Sequence, residues 1–233
     1  LGAALGALAT DPTPEAFEEV RAALTGLDEH HLDSALRTDE QRQTRRMAIR
    51  LAAWLVVRTQ RPAPGPGPKH QQALQLAESY AQEGGFVDWC RGRLRSPLPF
   101  QAELNAGVHA VLKAADAARG SDDEAFSAGL MHWLEVGRPS SRVTPIERAT
   151  GQFVGELSGE VEGLRVLVIL MDGMSWTAAV QILQRLQTEQ WAPVSWRPKG
   201  HVGRPSFPAV LASVPSLTQV SRADFFAGRF DRK

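Results

Sequence analysis

From the start of the chain to about residue 157 the pattern of apolar positions is that of helices, with three- and four-residue spacing from Thr13 onward. In "TPEAFEEVRAALTGL" the buried stripe is Phe17, Val20, Leu24 and Leu27, with Thr13 placed to cap the helix and Pro14 at its first position. "EQRQTRRMAIRLAAWLVVRT" predicts a second helix with Met47, Leu51, Trp54 and Leu55 on one face. It stops at "RPAPGPGPK", residues 61–69, where proline and glycine exclude both helix and strand. Further helices are predicted over 69–83, 86–95, 100–119 and 122–136, the last capped by Ser121 and closed by a glycine, and one more from Pro145 to about Leu157.

Beyond a polar hinge the pattern changes. "LRVLVILM", residues 164–171, is a short apolar run rich in β-branched residues, as expected of a strand buried on both faces of a parallel sheet. Asp172-Gly173 ends it, and "SWTAAVQILQRLQTEQW" resumes helical spacing at Trp176, Val180, Leu183 and Leu186. A strand followed at once by a helix opens an α/β unit. The expected architecture is therefore an all-helical region over 1–157 joined to the first part of an α/β domain over 158–233.

Composition adds mainly exclusions. A hydrophobic fraction of 43% suits a folded globular chain, and 26 basic against 26 acidic residues give no global pull toward nucleic acid or an anionic membrane. The four arginines at 42, 45, 46 and 50 are read as a solvated helix face, and Trp54, Trp89 and Trp133 as core. One cysteine, Cys90, has no partner for a disulfide or a metal pair, which fits the cytoplasm. No apolar run approaches the roughly 20 residues of a membrane helix, and "LGAALGALATDP" lacks the basic flank of a signal peptide.

Two stretches can carry chemistry. Asp172 lies at the carboxyl end of the apolar run, where ligands of open α/β sheets bind; the bland alternative makes it the cap of the next helix. In "PAVLASVPSLTQVSRADFFAGRF", residues 208–230, an apolar stretch leads to Thr218 near a helix start, with Phe225 and Phe226 expected on the buried side. Free N–H groups there suit an oxyanion, with Ser221 a further donor and Arg222 a cationic fork. The alternative is that Ser216 or Thr218 only caps that helix.

Taken together and in order, "VLVILMDGMSW" and "VPSLTQVSRADFFAGRF" resemble the alkaline phosphatase superfamily, and within it the PglZ family of the BREX phage-defence systems, type-two branch. The upstream "FVDWCRGRLR" and "RVTPIERATGQFVGEL" are similar to the helical region that precedes the PglZ domain. The resemblance implies an alkaline-phosphatase-like α/β domain, Asp172 as a metal ligand and Thr218 as nucleophile and metal contact; Ser221 and Arg222, beside Thr218 in sequence, are the candidate substrate contacts. It implies a divalent metal, zinc by superfamily habit, because a threonine hydroxyl is a poor nucleophile until a metal or base favours the alkoxide. Other BREX defence proteins, and DNA reached through them, are the implied partners.

The superfamily draws its remaining Asp and His ligands from later strands, and this sequence stops at Lys233, so a truncated domain without activity is expected. Of the six histidines only His201 falls in the α/β part, where a solvated loop residue is the simpler reading, and the adjacent His30 and His31 cannot share a helix face. A competing reading is a non-catalytic scaffold or interaction module of the defence complex. A nucleotide-binding α/β protein is disfavoured, because the strand–helix junction has neither a GxGxxG nor a GxxxxGK[ST] loop.

Overall fold

The structure is a computed structural model and describes residues 1–28, 39–61, 67–98, 101–138, 143–155, 165–171, 173–191, 209–214 and 216–228. The described chain is mostly helical, with one small parallel sheet. It divides into two compact units, Leu1–Gly67 with Phe86–Glu124, and Pro68–Gly85 with Ala125–Lys233. The boundary expected between residues 157 and 158 lies outside the described residues.

The first unit is built on α1 (Gly2–Thr10), α2 (Pro14–Asp28), α3 (Asp39–Gln60), α5 (Gly85–Leu94) and the first part of α6 (Ala102–Glu135); α4 (Lys69–Ser79) belongs to the second unit. The opening stretch, part of the region read as helical from the start of the chain, forms α1 and buries Leu5 and Leu8 completely. Helix α2 starts as expected: the Thr13 hydroxyl accepts a hydrogen bond from the Ala16 N–H at 3.2 Å. In α3, Met47, Leu51, Leu55 and Val56 are buried, while Trp54 is only half-buried.

The arginine face of α3 is less uniform than a solvated surface. Arg42 and Arg46 are exposed, but Arg45 is 7% exposed and the Arg50 guanidinium stacks 3.5 Å from the Phe86 ring centroid. Arginine's weakly hydrated planar head group tolerates this better than an ammonium would.

The two helices expected over 100–119 and 122–136 are one continuous 34-residue helix, α6. Gly120-Ser121 does not break it, since a single interior glycine costs only about 1 kcal/mol relative to alanine. Ion pairs span the junction: Arg119 donates to Asp123 at 2.9 Å and lies 3.5 Å from Asp122, which also accepts from Arg58 of α3 at 2.6 Å. On the same side Arg91 of α5 donates to Asp88 and to Asp116, both at 2.6 Å. Burial disfavours the Arg91 cation, but these carboxylates outweigh it and hold its pKa above the ordinary value.

In the second unit, α4 runs into a π-helical turn, Tyr80–Gly84, where a continuous helix to residue 83 was expected. Helix α6 ends in a Schellman arrangement: the Arg138 N–H bonds to the Trp133 carbonyl at 2.9 Å and the Gly137 N–H to the Leu134 carbonyl at 3.2 Å. Gly137 takes the required left-handed conformation at φ +80°.

The helix expected from Pro145 is corrected in its first residues. Val143–Pro145 form β1, paired in parallel with β2 (Ala209–Leu211), in the register Val143 to Ala209, Thr144 to Val210 and Pro145 to Leu211. Helix α7 (Ile146–Ala149) and a π-helical turn, Thr150–Gly155, follow. Strands of three residues are too short to leave a periodicity, and Pro145, which has no N–H, sits at the end of its strand where none is required. The core of this unit is Trp133, Leu74, Val143 and Ala209, with Leu130, Leu134 and Leu211 packed around them.

The strand expected over 164–171 does not form. Residues 165–171 carry no regular structure and are exposed, with Leu167 at 83% and Ile169 at 67%. A strand apolar on both faces is stable only between neighbouring strands and beneath covering helices. Among the described residues the sheet contains only β1 and β2, so nothing supplies those neighbours.

One packing contact is directly testable. A Cβ on Gly129 of α6 would lie 2.4 Å from the Lys69 carbonyl oxygen and 2.7 Å from the Ala73 Cβ of α4. Gly129→Ala is therefore expected to destabilise this unit by about 1–3 kcal/mol, read as a lower urea midpoint, although alanine is the better helix former.

Candidate functional site

The loop between β2 and the last helix, α9 (Thr218–Ala227), presents Thr218. Thr218 is the first residue of α9 and is exposed; the preceding Leu217 is the cap position, with no side-chain hydrogen bond. Neither Ser216 nor Thr218 therefore caps the helix, so the bland reading of this motif does not apply. Ser221 and Arg222 follow at three and four residues, on the same side of the helix as Thr218; Ser221 is half-buried and Arg222 exposed. Thr218 opens this ten-residue helix, and the first N–H groups of a helix have no intrahelical acceptor.

Two hydrogen bonds hold the loop and helix in place. Ser213, 2% exposed, donates its hydroxyl to the Asp224 carboxylate, which is 7% exposed. The Thr150 hydroxyl donates to the Phe225 carbonyl at 3.0 Å, tying α9 to the turn that follows α7. Sequence reasoning missed Asp224, though a signal was present: it stands four residues after Val220, on the stripe α9 turns inward. Phe226, expected to be buried beside Phe225, is 71% exposed; only Phe225 is partly buried, its ring meeting Phe226 edge-on at 5.3 Å.

Asp172 lies outside the described residues, so its separation from Thr218 does not enter the site's geometry. Its neighbour Gly173 takes a left-handed conformation at φ +64°, the sharp turn expected after the apolar run. The cap of the following helix, α8 (Trp176–Thr188), is Ser175 rather than Asp172, its hydroxyl accepting from the Ala178 N–H at 3.2 Å. Trp176 anchors α8 by donating its indole N–H to the Ala81 carbonyl at 3.1 Å.

Among the described residues, which do not include Asp172, no three His, Cys, Asp or Glu side chains are grouped to hold a metal. His201, His30 and His31 lie outside those residues. His70 and His132 stack with ring centroids 5.3 Å apart, and His132 Nδ1 lies 3.3 Å from Glu135. No helix among the described residues is long and apolar enough to cross a membrane.

Cys90 is not a nucleophile of this site. It is fully buried, and burial pushes its thiol up to about 12, with Arg50 pulling weakly the other way. Since only the thiolate reacts, iodoacetamide at about pH 8 is expected to leave Cys90 unmodified in the folded protein and to label it in denaturant, checked by mass spectrometry.

Comparison with protein families, with curated proteins and with solved structures finds no match to this chain.

Proposed function

We propose that this chain belongs to a PglZ-type protein of a BREX antiviral defence system and carries part of a metal-dependent phosphatase or phosphodiesterase domain of the alkaline phosphatase kind. The observation that carries this reading is Thr218, exposed at the first position of α9 behind a short strand, within the "VPSLTQVSR" context that follows "VLVILMDGMSW". An accessible hydroxyl beside the unpaired N–H groups of a helix start is a suitable place for a phosphoryl group, since the N–H groups and helix dipole stabilise its charge. Ser221 would add a donor and Arg222 a planar cation to the same face.

In this reading Asp172 and Thr218 are this chain's contribution to a metal centre that further ligands complete, and the chain is inactive by itself. The test is a phosphomonoesterase and phosphodiesterase assay of the full-length protein beside Thr218→Ala and Asp172→Ala. Both variants are expected to lose metal-dependent hydrolysis; unchanged activity in both removes the site assignment.

The second reading, suggested by the predominance of helices, is a scaffold that binds other defence proteins. Full-length protein that supports phage defence equally well with and without Thr218 would select it.

A further inference from the structure

The first unit holds a cavity of about 390 Å³ that the phosphoryl site does not use. Its wall is formed by Leu94 of α5 and by Val108 and Leu112 of α6, all less than a tenth exposed. Its rim carries Arg95, just past the end of α5, with His109 and Lys113, one turn apart on α6. All three rim side chains belong to exposed residues.

The charges around this rim are unbalanced. Asp116, the acid on the same edge, accepts a 2.6 Å hydrogen bond from Arg91 and lies 3.8 Å from Arg95, so its charge is already engaged. Lys113 makes no ion pair with any described residue. Asn105, the remaining polar group, is occupied in both directions: its carbonyl accepts from the Leu98 N–H at 2.9 Å and its amide donates to the Leu98 carbonyl at 2.7 Å. That clamp ties Leu98, next to Pro97 of the cavity lining, to α6.

An apolar wall beside the cationic Arg95 and Lys113, in a volume within the roughly 300–1,000 Å³ of small-molecule pockets, suits a ligand with one apolar and one acidic end. From this geometry we infer a binding site for a small organic anion, with a flat apolar body against Leu94, Val108 and Leu112 and an acidic group between Arg95 and Lys113. Neutral apolar molecules gain only the wall, and inorganic anions only the rim; the site favours molecules that carry both.

The inference is independent of the phosphoryl site and is tested with naphthalenesulfonate, which cannot serve as a phosphoric ester, titrated into the full chain while amide NMR resonances are followed. Saturable shifts are expected in residues 94–98 and 105–116, with naphthol, the neutral analogue, binding at least about tenfold more weakly. Arg95→Glu with Lys113→Glu is expected to weaken the sulfonate by at least about tenfold and to leave naphthol unchanged. Both substitutions are at exposed positions, so an unchanged thermal melt accompanies them. Shifts that map outside the cavity, equal affinity for the two probes, or a double variant that binds sulfonate like the parent would each overturn the assignment.

Discussion

Trp133→Ala is expected to destabilise the second unit by about 3–5 kcal/mol, the usual cost of removing a buried aromatic side chain and leaving its cavity. Trp133 is 1% exposed and is the largest fully buried side chain described. It packs with Leu74 of α4, Val143 of β1 and Ala209 of β2, so its loss loosens the helix and both strands together. Its backbone carbonyl also receives the Arg138 N–H that closes α6, and the Arg138 side chain, 5.9 Å from the indole centroid, pairs with buried Glu147 of α7. The expected readout is a lower urea midpoint by circular dichroism. A functional consequence follows from the same contacts: β2 leads into the loop bearing Thr218, so a partly unfolded second unit no longer presents it.

In the full-length protein, Thr218→Ala is expected to reduce hydrolysis of a phosphoric ester on the order of a thousandfold or more, the scale seen when a reacting nucleophile is removed. The loss should fall on kcat, with KM changed much less, because in the proposed site the neighbouring N–H groups and Arg222 would still hold the substrate. The fold should be untouched, because the Thr218 side chain is exposed and caps nothing. That combination, lost turnover in a protein of unchanged melting temperature, separates a chemical role for Thr218 from a structural one.

Much of the helical architecture was legible in the sequence because its signals are local. Thr13 and Pro14 mark a helix start that any surroundings would accept, and Gly137 marks an end that needs positive φ. Gly120-Ser121 misled for the opposite reason: their local preference for a break is about 1 kcal/mol, and the ion pairs of Arg119 with Asp122 and Asp123, and of Asp122 with Arg58 across the helices, favour continuity.

Strands were read less well, since a strand is a relation between segments. "VLVILM" has every residue a buried strand wants and forms none here, whereas Val143–Pro145 has too few residues to announce itself and pairs with Ala209–Leu211. Of the candidate site, the position of Thr218 at a helix start was legible from the apolar stretch before it and from Phe225 and Phe226 after it, although only Phe225 is partly buried. The buried Ser213–Asp224 bond that sets the loop was not, because it joins residues on either side of it.

The most direct test of the proposed role of Thr218 compares one aryl phosphodiester's metal-dependent hydrolysis by full-length protein carrying threonine, serine or alanine at position 218. Serine keeps a primary hydroxyl in the same place, so the account predicts measurable turnover with threonine and serine and background rates with alanine. Alanine turning over as fast as threonine would contradict it.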